Sequence, residues 1–510
     1  MKLLIESCKC RVKIFVLLCD VTQNTIQKNK EREIMQIYRK QHYDRVLERV
    51  FAPLLDESDL LTQLRANTIL AKGERYFDFT ASGLAYKKIE KRLDSILPYY
   101  ANTHSRFATH SAFMSAVYER AKERLKEMLG LGDEFVLIAG GSGASFGIKK
   151  FQELMGIYVP PQSLAHFNSF FQGINDVKTT QDSSYTSQNP LLERLRIYDK
   201  QTKALNLPSV LLSGFEHHSN EISFREGLCH IHKIDFNEYG LPDVEHLEKM
   251  LQNLKGEKII ASLSVASNVT GLFAPIESYS KLLRKNRAII AFDMASSSPY
   301  LQIDSALYDA AFLAPHKLLG GVGSCGLLAI RKSLCDTQIP PSFAGGGVME
   351  YANDKTHSFI DDEALREEAG TPQVLGLLRA ALAYSLRNEI GFAWIKRRKK
   401  VLMEIFLHEL KKIPAVSIYG DLKAERLGII SFNVGLVCPL DLSMLLSKKY
   451  GIQTRAGCSC AGPYGHYLLG EGSKEKKPMW LRVSIHYTHA LSDIEYLVES
   501  IKSCVKILRG

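Results

Sequence analysis

Ala288-Ile289-Ile290-Ala291-Phe292-Asp293 is a run of five apolar residues closed by a carboxylate. With no polar alternation along it, the run reads as a strand covered on both faces, as in a parallel sheet flanked by helices. The same pattern repeats in both directions. From about residue 130 to 330, short β-branched or apolar runs alternate with amphipathic helical stretches; the candidate strands are Phe135–Ala139, Val210–Ser213, His230–Ile234, Ile259–Leu263, Ala288–Phe292, Ala310–Leu313 and Gly326–Ile330. Seven such runs predict an α/β fold, with βαβ units on one largely parallel sheet and enough strands for one large domain. Gly140-Gly141-Ser142-Gly143, Glu216-His217-His218-Ser219-Asn220, Ser267-Asn268, Asp293 and His316-Lys317 each follow a strand's last apolar residue by a few positions. Polar residues at the carboxyl ends of strands are where open α/β sheets bind ligands.

The rest of the chain has the profile of an ordinary globular protein. It has 510 residues, 45% hydrophobic, 24% charged and 9% aromatic, which excludes a disordered, collagenous or coiled-coil protein. No window approaches the roughly 20 apolar residues of a membrane span. Ile14 to Cys19, behind Lys13, is too short for a secretory signal and lacks a cleavage site, so a cytoplasmic protein is expected, with no membrane partner. Half of the net charge of +10 sits in residues 1 to 50, and the remainder shows no basic domain or aromatic-interleaved stripe, which argues against nucleic acid. The ten cysteines are scattered without a disulfide framework and fit a reducing compartment.

Three segments are expected. Residues 1–70 form a polar, helical extension in which Met35 opens a smoother stretch and is a candidate native start. Residues 71–373 form the large domain, interrupted at 158–208 by about fifty residues rich in Gln, Asn, Ser and Thr. Residues 374–510 form a smaller α+β domain with a strand at Gly428–Val434, a helix at Leu440–Tyr450, a loop through Pro463 and a strand at Trp480–Ile485. Its last helix opens with the capping box Ser492-Asp493-Ile494-Glu495 and carries Ile494, Leu497, Val498, Ile501, Val505 and Leu508 on one face.

Taken singly, the polar strand ends leave alternatives open. Gly140 to Ser145 joins a strand to a helix, where backbone N–H groups and the helix dipole can face an anion, yet a tight packing turn has the same composition. Its spacing matches neither a Walker A loop nor a dinucleotide fingerprint. Lys317 can serve as a Schiff-base amine if its pKa is lowered, or be a surface lysine. Asp293 needs a cationic or donor partner, met by a protonated pyridine nitrogen or by a helix cap. His217 and His218 beside Glu216 suggest a metal at first glance, but no third ligand stands at metal spacing, so ring stacking or hydrogen bonding is the better reading. Cys458-Ser459-Cys460 follows Arg455, whose charge favours a thiolate; exposed, inert thiols are the plainer reading. No second Cys pair is present for zinc.

Together these residues supply a partner for each part of pyridoxal phosphate (PLP): phosphate, ring face, phenolic oxygen, ring nitrogen and aldehyde. The sequence resembles the class V aminotransferase family, and within it the group II cysteine desulfurases and selenocysteine lyases. The resemblance is carried by Tyr76-Phe77-Asp78-Phe79-Thr80-Ala81-Ser82, Glu216 to Asn220, Ser267-Asn268-Val269-Thr270-Gly271, Asp293, His316-Lys317-Leu318-Leu319-Gly320, Glu368-Ala369-Gly370-Thr371-Pro372, Arg455 to Ala461 and Arg482-Val483-Ser484. It implies a fold type I PLP enzyme in which Lys317 holds the cofactor covalently and moves protons at the substrate's Cα, Asp293 keeps the ring nitrogen protonated, His217 stacks on the ring and Asn268 donates to the phenolic oxygen. It further implies that Gly141, Ser142, Gly143 and His316 hold the phosphate, with Thr371 reaching it from the neighbouring subunit of a homodimer. Arg482 would bind the substrate's α-carboxylate with support from Arg455, and Cys460 would take sulfur from L-cysteine as a persulfide, leaving alanine.

Four departures from the resemblance stand out. Ser296 occupies a cofactor-binding position where desulfurases usually carry Gln, Ala314 replaces a Ser, a Gly-Ser pair replaces Thr-Thr, and Cys458-Ser459 replaces His-His ahead of Cys460. The Gly-Cys-x-Cys pattern looks closer to molybdenum cofactor sulfurases. The expected function is a cysteine desulfurase passing sulfur to an acceptor protein in iron–sulfur or other thiocofactor assembly. The alternatives are an aminotransferase or β-eliminating lyase for another amino acid, and a non-catalytic scaffold.

Overall fold

A computed structural model of the chain describes residues 41–103, 107–166, 187–470 and 477–510. The candidate start at Met35 and the first part of the 1–70 extension lie outside the described residues.

All seven expected strands form, each end within one residue of its expected place: Phe135–Gly140 (β1), Ser209–Leu212 (β2), His230–Lys233 (β3), Ile259–Ser264 (β4), Ile289–Asp293 (β5), Ala310–Leu313 (β6) and Gly326–Arg331 (β7). They make one sheet in the order β1-β7-β6-β5-β4-β2-β3. Only β7 runs antiparallel to its neighbours, so the carboxyl ends of the other six strands share one edge. The twofold alternation of side chains explains why the runs are apolar throughout. Leu263, Ile290, Phe292 and Leu327 enter the core on one face, while Ile260, Ala291, Phe312 and Leu328 enter the core on the other.

The stretch 158–208, expected as one long polar connection, contains a packed helix. Asn189 accepts from the N–H groups of Leu191 and Leu192 to cap Pro190–Thr202, and Pro190 suits a first helical position. Leu191, Leu192 and Leu195 bury against Leu164, while Arg196 donates to the carbonyls of Arg225 and Gly227. The expectation followed composition and passed over the Asn-Pro cap and the leucines spaced behind it. Residues 167–186 lie outside the described residues.

Toward the C-terminus, Val416–Ile418 (β8), Ile429–Val434 (β9), Arg455–Gly457 (β10) and Trp480–Ser484 (β11) form an antiparallel sheet in the order β8-β9-β11-β10. Leu481 and Val483 of β11 pack among Phe406, Leu446 and Ile494 of the covering helices. Trp480, Arg482 and Ser484 alternate to the other face, toward the large sheet. The expected loop through Pro463 is thus partly structured, since β10 and the helix Gly462–Leu469 occupy it. The last helix, Leu491–Arg509, starts earlier than expected, because Asp493 rather than Glu495 reaches back, accepting from the Ala490 N–H at 2.8 Å. Helix Val374–Ile390 is buried along most of its length against Thr109–Leu129 and joins the core of the large sheet. Among the described residues no helix is long and apolar enough to cross a membrane.

Candidate active site

At the shared carboxyl edge, facing β10 and β11, lies a cavity of about 230 Å³. Ser142, Gly143, His217, Asn268, Asp293, Ser296, His316, Lys317, Arg455, Cys460 and Arg482 all line it, so sequence positions from 142 to 482 converge on one space. Gly141 and Thr371 do not; they line a separate pocket beside Lys149 and Glu368, where the Thr371 hydroxyl accepts from Asn102 at 3.4 Å.

On the large-sheet side, Ser142 is the N-cap residue of Gly143–Leu154 but makes no side-chain capping bond, which leaves its hydroxyl free of that role. Gly143 has φ +54°, and a Cβ there would come within 2.7 Å of the His316 ring, so the chain can close against His316 only as glycine. The helix N-terminus and His316 therefore form a compact cradle at one end of the cavity, suited to an anion. Burial, with the nearby Lys317 charge, holds both His316 and His217 down at about 4, and His217 accepts from the Ser219 N–H through Nδ1 at 3.1 Å. Both rings are neutral at neutral pH.

Asp293 is buried at the end of β5 and accepts from the Ala295 N–H at 2.8 Å. Burial pushes its carboxyl up, while the Ala295 N–H and Lys317 pull the other way. Burial likewise lowers Lys317 to about 8, and Asp293 opposes that shift. A lysine near this value has an appreciable neutral fraction at physiological pH, as an amine nucleophile needs.

On the small-sheet side, the antiparallel register places Arg455 directly opposite Arg482 on one face. Arg482 donates from Nη1 to the Asn268 carbonyl and from Nη2 to Asp78 Oδ1, both at 3.0 Å, while Arg455 lies 3.6 Å from the other oxygen of Asp78. Asp78 thus holds the two guanidinium groups side by side. Arg482 Nε and Asn268 Oδ1 are buried without a hydrogen-bond partner among the described residues. Unpaired buried polar atoms are costly, and two of them on cavity-lining side chains mark a place built to meet a polar ligand.

Cys460 sits on a four-residue turn, Cys458 to Ala461, closed by the Ala461 N–H donating to the Cys458 carbonyl at 3.1 Å. Its central residues, Ser459 and Cys460, have φ of 52° and 56°, the pattern of a type I′ turn without the usual glycine or asparagine. Each such residue costs about 1–3 kcal/mol. Contacts from distant parts of the chain hold it: Asn268 Nδ2 donates to the Ser459 carbonyl at 2.7 Å, Trp480 Nε1 to the Ser459 hydroxyl at 3.2 Å, and the His218 N–H to the Cys460 carbonyl at 2.9 Å. The Gly462 N–H in turn donates to His218 Nε2 at 2.9 Å, and burial holds His218 below the usual histidine range, keeping that nitrogen free to accept.

Sequence reasoning missed His218 as the clamp on the cysteine turn and Asp78 as the bridge between the arginines, although both lie inside quoted motifs. Among the described residues no group of three His, Cys, Asp or Glu could hold a metal ion. Glu216 instead points into the protein, accepting from Ser264 and Asn220.

A seven-stranded, mostly parallel sheet with this cavity at its carboxyl edge has the architecture of the fold type I PLP-dependent enzymes. The chain belongs to the class V aminotransferase family, whose model matches residues 202–497. It is similar to a probable cysteine desulfurase of Pyrococcus abyssi, 25% identical over 444 residues that cover 85% of this chain and 95% of that one. A probable cysteine desulfurase of Chlamydia muridarum is 29% identical over 309 residues, covering 59% and 73% of the two chains. Among solved structures, an apo cysteine desulfurase from Thermococcus onnurineus matches with a TM-score of 0.69 at 22% identity, covering 89% of this chain and all of that one. A NifS-like protein from Rickettsia africae matches with a TM-score of 0.62 at 21% identity, covering 85% and 99%.

Proposed function

We propose that this protein is a PLP-dependent cysteine desulfurase that converts L-cysteine to L-alanine, leaves the sulfur on Cys460 as a persulfide, and passes it to an acceptor protein in iron–sulfur or other thiocofactor assembly. The observation that carries the reading is that Cys460 opens into the same cavity as Lys317, Asp293 and Arg482.

The residues fit the cofactor. A buried carboxylate, a half-buried amine of lowered pKa, a neutral imidazole and a glycine-shaped cradle surround one space. Bound PLP supplies an electron sink that lets an amino acid's Cα proton leave. In this reading Lys317 anchors the cofactor and carries that proton, Asp293 pairs with the ring nitrogen, His217 covers the ring, and Asn268 and Ser296 meet its polar edge. Ser142, Gly143 and His316 hold the phosphate with the backbone at Gly141, and Thr371 serves the cavity of a second subunit in a homodimer.

Arg482 binds the substrate carboxylate, using Nε and the guanidinium edge not committed to Asn268, while Asp78 keeps it from turning and Arg455 closes the site. The Cys460 thiolate attacks the substrate's sulfur. The substrate's Cβ–S bond breaks as the Cys460 S–S bond forms, and Cβ takes a proton, so cysteine plus a thiol gives alanine plus a persulfide.

The test is a visible absorbance spectrum of the purified protein, followed by L-cysteine with alanine and sulfide assayed in the presence of a thiol reductant. A cofactor band with alanine and sulfide in equal amounts, both lost in Cys460→Ala, is expected. A band without alanine from cysteine overturns the desulfurase reading in favour of an aminotransferase or lyase, and no band favours a scaffold.

A further inference from the structure

The two cysteines of the turn occupy different environments. Cys460 lines the cavity, whereas Cys458, two residues earlier and likewise partly exposed, does not. We infer that Cys458 is the second station of a sulfur relay, receiving the sulfane sulfur from the Cys460 persulfide and presenting it outside the cavity. This rests on the desulfurase reading above.

The geometry of the turn carries the argument. A Cys458 carbonyl bonded to the Ala461 N–H puts Cys458 at the first position of the turn and Cys460 at the third. Two residues apart, their Cα atoms are separated by at most about 7 Å, and by less when the chain curls. Sulfur–sulfur bonds span Cα separations of about 4.4–6.8 Å, and the extra sulfur of a persulfide lengthens the reach of Cys460 by about 2 Å. Hydrogen bonds from Asn268, Trp480 and His218 fix Ser459 and Cys460, and the Ala461 N–H bonded to the Cys458 carbonyl ties the first residue of the turn to them. Among the described residues no other two cysteines share a turn; Cys229, Cys325 and Cys504 are buried elsewhere in the protein.

The step is balanced. The Cys458 thiolate attacks the outer sulfur of Cys460–S–SH, a new S–S bond forms at Cys458, the old one breaks, and Cys460 leaves as a thiolate. One disulfide-type bond is exchanged for another and no oxidant or reductant is consumed. Cys460 returns to the state that accepts sulfur from the next cysteine, while the outgoing sulfur sits on a partly exposed residue that is not part of the cavity lining.

The holoenzyme is mixed with one equivalent of L-cysteine without added thiol, trapped with an alkylating agent, and its 455–462 peptide mapped by fragment mass spectrometry over time. Sulfur is expected first on Cys460 and then on Cys458 in the unmodified sequence, on Cys460 alone in Cys458→Ser, and on neither in Cys460→Ser. Alanine formation with sulfur confined to Cys460 at all times overturns the relay and leaves the desulfurase reading standing. Persulfide on Cys458 in Cys460→Ser overturns the order of transfer. Absence of alanine from all three proteins overturns the desulfurase reading, and the relay with it.

Discussion

The cavity is built by two regions under opposite rules. The large-sheet side presents Asp293, His217 and Lys317 at or just beyond strand ends, where regular hydrogen bonding stops and ligands usually bind. The small-sheet side presents Cys460 on a turn whose two central residues adopt a conformation they disfavour, and which is braced by bonds to residues as far away as His218 and Asn268. One side follows from local sequence and the other from tertiary structure. Cofactor chemistry should therefore tolerate damage to the cysteine turn, while sulfur chemistry should fail when either side is disturbed.

The largest expected effect is Lys317→Ala, which removes the amine and should abolish both the cofactor band and alanine formation, a loss of about 10²–10⁴-fold in rate from the missing proton carrier alone. Cys460→Ala sharpens the contrast: the band should persist and bind cysteine while sulfide formation drops to background in the same assay. Next comes His218→Ala, which leaves the Gly462 N–H without its acceptor. It should lower kcat/KM about tenfold with an unchanged cofactor spectrum and cost about 1 kcal/mol in urea unfolding. An equal loss of cofactor affinity would show that the two sides are not separable.

The pH dependence probes the large-sheet side alone. Because Lys317 sits near 8, its neutral fraction rises as pH increases through that value, so uptake of added PLP by the apoprotein should speed up from pH 7 to 9 and then level off. A rate independent of pH across that range would remove the lysine's lowered pKa from the account. The smallest effect is expected for Ser459→Gly. Glycine relieves the positive φ by about 1 kcal/mol, and losing the hydroxyl that accepts from Trp480 costs about as much, so the unfolding midpoint should barely move.

The same division explains what could be read from the sequence. The seven strands were legible because apolar runs buried on both faces need no partner to be recognised, and the residues at their ends come with them. The resemblance implied that Arg455 supports Arg482, but the strand register that sets them opposite each other was not legible, since it depends on how two short antiparallel strands pair. Nor was the parallel pairing of Arg75–Tyr76 with Ile452–Gln453, which joins two-residue segments far apart in the chain with no periodicity of their own. Asp78 and His218 were visible as motif members, but their roles depend on what folds against them. The early start of the last helix shows the same limit, because Arg65 also reaches Asp493, at 2.6 Å, and no local capping rule contains that contact.

The bond from the Gly462 N–H to His218 closes a loop of 244 residues, and the one from Asn268 to Ser459 a loop of 191. Contacts of such long sequence separation form late, after the entropy of bringing distant segments together has been met by the packing around them. The cysteine turn thus takes its working shape only once both sheets are built and docked. A chain still emerging from the ribosome, or one half folded, carries the thiol without the turn geometry, so on the desulfurase reading proposed above the order of assembly would keep sulfur chemistry from starting early.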